Sequence, residues 1–275
     1  MIPQRNLSLI ANALKAANGR RIPEAIIERD YCLAWFLVGL AGHPMRDVLA
    51  FKGGTALRRC YFGNYRFSED LDFTLMQPIE FAAIRKGLDE IFAEVEKGSG
   101  IKMAFDREDK DSHQNCYTFY IRYQGPLPAA NDVKVDITIK EKGCFDLVEV
   151  PILKSYQLYA DIPENRTIKV YDLREIAVEK LAALTDKARN EPRDLYDLWY
   201  LITYADLSFE PLHGELEAKL TFRERPLEGL ADVLAAKRDR LAKLWTTRLA
   251  HQMSALPEFD DVFRTVQRAV RDAKL

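Results

Sequence analysis

Two carboxylates stand two residues apart in Ser68-Glu69-Asp70-Leu71-Asp72-Phe73, and upstream of them a glycine pair interrupts Lys52-Gly53-Gly54-Thr55-Ala56-Leu57. Residues at a spacing of two on a strand project to the same side, roughly 6–7 Å apart at the backbone. Asp70 and Asp72 are thus placed to share one magnesium ion or bridge two, as metal-assisted phosphoryl chemistry requires when attacking and leaving oxygens both need charge neutralised. Asp136 is a third acid on a separate alternating stretch. It joins the same face if the two strands lie side by side; otherwise it is a solvated strand residue. Gly53, Gly54 and Thr55 offer backbone that a phosphate can approach unobstructed, then a helix N-terminus with free N–H groups. An ordinary strand-to-helix turn with Thr55 as N-cap is the plainer reading of the same letters. Ser68 places its hydroxyl on the acidic face if the strand extends that far, to touch phosphate, to be modified, or simply to hydrogen-bond.

The elements that must position these residues follow from periodicity. Leu71, Phe73 and Leu75 alternate with Asp70, Asp72 and Thr74, which gives that strand one buried side. Residues 48–52 form a short strand that the glycine pair breaks into a helix beginning near Thr55. Residues 7–17 and 24–41 carry helical spacing, the second ended by Pro44, and 79–96 form an amphipathic helix. Residues 102–107 and 116–123 read as strands. Residues 132–140 alternate again, with Val133, Val135, Ile137 and Ile139 inward and Lys134, Asp136 and Thr138 opposite. From Asp172 onward the pattern is helical, through 172–188, 193–204 and charged segments between 211 and 273. The shift near residue 170 divides a mixed α/β part, 1–170, from a helical part, 171–275.

Two features of the helical part bear on chemistry. Lys180 falls inside the apolar stripe of Leu173, Ile176, Ala177, Leu181, Leu184 and Ala188. A buried amine there needs a triphosphate or a carboxylate cluster as partner, unless its stem packs while the ammonium reaches water. Arg193 and Asp194 open the next helix, either as favourable first-turn charge or facing a cleft with the arginine gripping phosphate.

Bulk properties set limits. With 275 residues, 48% hydrophobic and 30% charged, the chain buries a full core as one large domain or two small ones. A net charge of −2 excludes general affinity for nucleic acid and leaves only a local basic surface. Arg238, Arg240, Lys243, Arg248, Arg264, Arg268 and Arg271 are candidates for one, but acids interleave them and a solvated helix face is the default. Cys32, Cys60, Cys116 and Cys144 form no Cys-x-x-Cys pair and read as reduced thiols. No apolar run approaches the ~20 residues of a bilayer span, and the N-terminus lacks a signal-peptide core, so a cytoplasmic protein with no membrane partner is expected. His43, His113, His213 and His251 lack metal-ligand spacing and receive no role.

The strings Lys52-Gly53-Gly54-Thr55-Ala56-Leu57 and Arg66-Phe67-Ser68-Glu69-Asp70-Leu71-Asp72-Phe73 resemble the AbiEii/AbiGii toxins of the nucleotidyltransferase superfamily, with which the MenT toxins belong. Val135-Asp136-Ile137 suits the superfamily's third acid. Lys180 and Asp194, or Asp197 in its place, suit a later lysine and aspartate, and Glu28-Arg29-Asp30-Tyr31 is similar to the family as well. The matches run from about residue 24 to residue 202, with a gap from Gly54 to Asp70 longer than the broader superfamily's. The resemblance implies an α+β fold: a mixed β-sheet flanked by helices in a catalytic domain, 1–170, with the helical domain, 171–275, contributing to the active-site cleft. It implies Mg2+-dependent transfer of a nucleoside monophosphate from NTP to an acceptor, the tRNA 3′ end in some members, which blocks translation and is opposed by a cognate antitoxin. Asp70 and Asp72 would hold metal, and Asp136 would complete that site or polarise the acceptor hydroxyl. Gly53, Gly54, Thr55, Ser68, Lys180 and Arg193 would contact nucleotide, with Lys180 and Asp194 among the catalytic residues. Two other readings are a nucleotidyltransferase acting on a protein or small molecule, and a non-catalytic nucleotide-binding protein, against which the three retained carboxylates count.

Overall fold

The apolar spacing of the first forty residues folds as two helices, α1 (Gln4–Asn18) and α2 (Glu24–Ala41), in a computed structural model that describes residues 1–110, 114–226 and 229–275. His113 lies outside the described residues. After a 3-10 turn at Pro44–Asp47 come β1 (Leu49–Lys52) and α3 (Gly53–Ala56), which runs directly into a π-helical turn at Leu57–Tyr61. Then follow β2 (Leu71–Leu75), α4 (Phe81–Ser99), β3 (Lys102–Glu108), β4 (Cys116–Gln124), β5 (Asn131–Thr138), β6 (Val148–Pro151) and β7 (Thr167–Val170). The remainder is helical: α5 (Leu173–Thr185), α6 (Pro192–Ala205), a 3-10 turn at Glu210–Leu212, α7 (His213–Phe222), α8 (Leu230–Leu249) and α9 (Phe259–Asp272).

The strands form one mixed sheet in the order β3-β4-β5-β2-β1-β7-β6. β2 runs antiparallel to β1 and parallel to β5, and β1 runs parallel to β7. The alternation of β2 and β5 sorts their side chains: Leu71, Phe73, Val133, Val135 and Ile137 are buried. The Phe73 ring meets Phe51 at 5.1 Å and Phe36 of α2 at 6.5 Å, and Phe36 in turn meets Phe92 of α4 at 6.4 Å. One face of the sheet is thereby closed by α2 and α4, each ring contributing on the order of 2–3 kcal/mol by burial. The opposite face carries the polar residues.

Three sequence expectations change. The fifth strand stops at Thr138, short of Lys140. β2 begins only at Leu71, so neither Ser68 nor Asp70 is a strand residue, and Asp70 lies in the loop just before it. β6 and β7 were not anticipated; four residues each are too few to display a period of two.

Two compact units divide the chain. The first comprises Met1–Glu141, Leu147–Val170 and Gln252–Ser254 and holds the whole sheet. The Phe67 N–H donates to the Gln252 carbonyl at 2.7 Å, and the Arg66 guanidinium donates to the Gln252 side-chain oxygen at 3.1 Å. Asp30 of α2 is buried between Arg58 and Arg59, with the Arg58 Nε donating to Oδ1 at 2.6 Å and Arg59 paired with Oδ2. Burial opposes the Asp30 charge, but the two guanidiniums prevail and hold its carboxyl below the usual range. The second unit comprises Lys142–Asp146, Tyr171–His251 and Ala255–Leu275. There the backbone N–H groups of Cys144 and Phe145 donate to Glu175 Oε2 at 2.7 and 2.9 Å, and the buried Lys219 donates to Glu175 Oε1. The four cysteines are free. Among the described residues, no helix is long and apolar enough to cross a membrane.

Candidate active site

Gly53 is where β1 turns into α3, and its φ of +79° is a left-handed conformation that glycine adopts without a Cβ clash. A Cβ on Gly53 would lie 2.4 Å from Asp72 Oδ2, and one on Gly54 would lie 2.6 Å from an Arg66 nitrogen and 3.0 Å from Ser68 Oγ. The missing side chains are thus what lets the carboxylate, the guanidinium and the hydroxyl close on one stretch of backbone. Thr55 is not the helix N-cap, which is Lys52. Its buried hydroxyl donates instead to the Asp70 carbonyl oxygen at 2.5 Å, tying the glycine turn to the start of β2. Ser68 reaches Gly54 through the loop before β2, not along a strand.

Strand pairing then aligns the acids. Lys52 stands opposite Asp72 across β1 and β2, Asp72 opposite Asp136 across β2 and β5, and Asp136 opposite Thr118 across β5 and β4. Neighbouring strands lie about 4.8 Å apart, so Asp72 and Asp136 are adjacent on the polar face. The Thr118 hydroxyl donates to Asp136 Oδ1 at 2.6 Å, and the Lys134 ammonium donates to Oδ2 at 2.8 Å. The Lys52 ammonium reaches across β2 to the Thr138 hydroxyl at 3.0 Å. Burial alone would push the Lys134 ammonium down, but Asp136 in contact, with Asp70 beyond it, holds it above the usual lysine value.

Lys180, Asp194 and Arg193 belong to the second unit. Lys180 meets a carboxylate cluster, one of the alternatives its place in an apolar stripe left open, pairing with Asp194 at 2.9 Å and Asp197 at 2.7 Å, both acids buried. Asp194 also receives the Arg189 Nε at 2.7 Å. Burial works against the Asp194 charge, yet Lys180 and Arg189 hold its carboxyl below the usual range. Arg193 lies 3.9 Å from Glu191 and is half-buried.

A sequence model of the nucleotidyl transferase AbiEii toxins of type IV toxin–antitoxin systems matches residues 35–265, a span that contains the glycine turn, all three aspartates and Lys180. The chain belongs to the AbiEii nucleotidyltransferase toxin family. Solved structures share the fold. MenT4, a nucleotidyltransferase toxin from Mycobacterium tuberculosis H37Rv, is similar with a TM-score of 0.59 and 20% identity, covering 98% of this chain and 99% of that one. A protein from H. pylori assigned to the nucleotidyltransferases is similar with a TM-score of 0.58 and 17% identity, covering 92% and 96%. No curated protein matches the sequence.

For an AbiEii-family site the question is which groups suit a divalent cation. Among the described residues, no three histidine, cysteine, aspartate or glutamate side chains converge as a ready cation cage. Asp136 has one carboxylate oxygen on Thr118 and the other on Lys134. Asp70 and Asp72 supply hard carboxylate oxygens, the donor chemistry magnesium takes. Asp72 Oδ2 lies against the bare backbone of Gly53. These two residues fit the ion. Sequence reasoning gave no role to Lys52, Thr118, Lys134 or Arg66. Lys134 and Thr138 carried a legible signal, since both share the face of Asp136 in the alternation of β5, whereas the pairing of Thr118 with Asp136 needs the β4–β5 register.

Proposed function

We propose that this AbiEii-family chain transfers a nucleoside monophosphate from NTP to the 3′ end of tRNA, with Mg2+, and so blocks translation in the cytoplasm until a cognate antitoxin opposes it. The observation that carries this reading is the in-register pair Asp72–Asp136 beside the Gly53–Gly54 turn. Mg2+ on Asp70 and Asp72 would neutralise the triphosphate oxygens and the developing charge at the α-phosphorus. The backbone N–H groups at Gly53, Gly54 and Thr55, with Ser68 and Arg66 beside them, hold the phosphates; α3 is four residues long, so its dipole contributes little and the side chains matter more. The acceptor oxygen forms a bond to the α-phosphorus as the bond to the β-phosphate bridging oxygen breaks, and pyrophosphate leaves. Asp136, oriented by Thr118 and Lys134, takes the proton from the acceptor hydroxyl. Residues 1–170 supply this machinery, and Lys180, Asp194 and Arg193 act in the same reaction, as the family resemblance implies.

The test is incubation of wild type and Asp70→Ala with total tRNA, Mg2+ and each α-labelled NTP in turn. Label in tRNA with wild type, absent with the variant, is the expected result. Label appearing in protein or a small molecule instead would overturn the tRNA assignment, and nucleotide binding with no transfer to any acceptor would overturn catalysis.

A further inference from the structure

We infer that Arg29 of α2 is a positioning residue for the candidate metal site: by holding Glu69 it fixes the loop that presents Asp70 in front of β2. The inference rests on the metal assignment proposed above, in which Arg29 has no part of its own.

The need for such a residue follows from where Asp70 lies. Asp72 is placed by the sheet, opposite Lys52 on one side and Asp136 on the other. Asp70 precedes β2 and has no place in that register, so its position depends on what ties the loop down. Thr55 is one tie, donating its hydroxyl to the Asp70 carbonyl at 2.5 Å. Arg29 is the other, one residue back, where its Nη1 donates to Glu69 Oε2 at 2.5 Å. Held at both residues, the backbone from Glu69 to Asp70 has little freedom to turn the Asp70 carboxylate aside. α2 is a firm base for this tie. Asp30, the next residue, is buried between Arg58 and Arg59, its carbonyl accepts from Arg59 Nη2 at 2.9 Å, and Arg58 donates onward to the Tyr65 carbonyl. Adjacent α2 residues of opposite charge thus grip the segment between the glycine turn and β2 at its two ends. The Asp30 cluster is fully buried, whereas the Arg29 and Glu69 side chains are 22% and 32% exposed, a partly solvated pair that adds little to stability. Its consequence is geometric, and loss of a group that orients a metal ligand costs about 10–100-fold in metal affinity.

The experiment is Mn2+ binding to the full chain without nucleotide, followed by the electron paramagnetic resonance of free Mn2+, with urea midpoints as the control for folding. Arg29→Met and Arg29→Gln cut the tie from one end, so the outcome does not depend on one of them folding, and Glu69→Gln cuts it from the other. Removing a cation near a metal site should by charge alone tighten Mn2+, and removing an anion should weaken it. A positioning role weakens both. The expected result is a loss of about tenfold or more in each neutral variant, no further loss when Arg29→Met and Glu69→Gln are combined because they cut the same link, and Arg29→Lys nearer wild type, all with midpoints close to wild type. Unchanged or tighter Mn2+ binding in the Arg29 variants overturns the inference, as do losses that add in the double variant. Asp70→Asn separates this from the metal assignment itself. If Asp70→Asn loses Mn2+ and the Arg29 variants do not, this inference alone fails. If Asp70→Asn binds Mn2+ like wild type, the metal assignment fails and takes the inference with it.

Discussion

At the scale of single residues, the site depends on what is absent from Gly53 as much as on what its neighbours carry. Alanine at Gly53 meets two penalties: a left-handed backbone costing ~1–2 kcal/mol for a residue with a Cβ, and a Cβ 2.4 Å from Asp72 Oδ2. The carboxylate must swing away. Gly53→Ala is therefore expected to lower nucleotide transfer by roughly a hundredfold, the scale for a displaced reacting group, with a loss of only ~1–3 kcal/mol in denaturant unfolding. Near-wild-type transfer in a folded Gly53→Ala protein would show that Asp72 does not need its place beside the glycine. Asp72 and the glycines were legible because a period of two and a strand-breaking glycine pair are local signals. The contact between Gly53 and Asp72 was not, because nineteen positions separate them and only strand pairing closes that gap. The same holds for Asp136, whose neighbour Asp72 is set by the register of β2 on β5.

At the scale of elements, α5 and α6 are joined by Lys180, which serves Asp194 and Asp197 together. Sequence spacing left open whether the lysine takes a partner or reaches water; that both acids meet it follows from the packing of α6 on α5, which a one-dimensional pattern does not contain. Lys180→Met leaves two buried carboxylates with less compensation, and removal of one partner from such a cluster costs ~3–5 kcal/mol. A urea midpoint for Lys180→Met close to wild type would mean that Arg189 and solvent suffice. The sign with pH follows from the direction of the Asp194 shift. Its folded carboxyl is held below the unfolded value, so its stabilisation is present above about pH 4 and fades as pH falls further. Asp30 behaves alike in the first unit, where it anchors α2 to the turn carrying Arg58 and Arg59. Asp30→Asn leaves two guanidiniums short of their counter-ion and is expected to lose ~3–5 kcal/mol at neutral pH. It should also flatten the fall in stability below about pH 4, measured by chemical unfolding at a series of pH values. A wild-type slope persisting in Asp30→Asn would assign the acid sensitivity to other groups.

At the scale of the whole molecule, charge limits how an RNA acceptor can be held. Forty Lys and Arg face forty-two Asp and Glu, and the net charge of −2 gives no long-range attraction to a polyanion. Arginines that the sequence offered for an RNA face are partly committed within the second unit: Arg238 pairs with Asp260 at 2.7 Å and Arg264 with Asp261 at 2.5 Å. Each such pair withdraws one candidate phosphate contact or must be broken to provide it. If tRNA is the acceptor, as proposed, its binding would rest on few phosphates and on contacts to its single-stranded end, and few released counterions would make a shallow salt dependence. The logarithm of kcat/KM for tRNA against the logarithm of KCl concentration should fall with a slope no steeper than about −3, corresponding to roughly four phosphates. A slope near −7 would demand about ten contacts, more than a chain of this balance can collect without an undivided basic tract. Arg238→Gln and Arg264→Gln should each leave that slope unchanged, because guanidiniums held by Asp260 and Asp261 neutralise no RNA phosphate and so release none of the cations condensed on it; a shallower slope in either would place that arginine on the RNA.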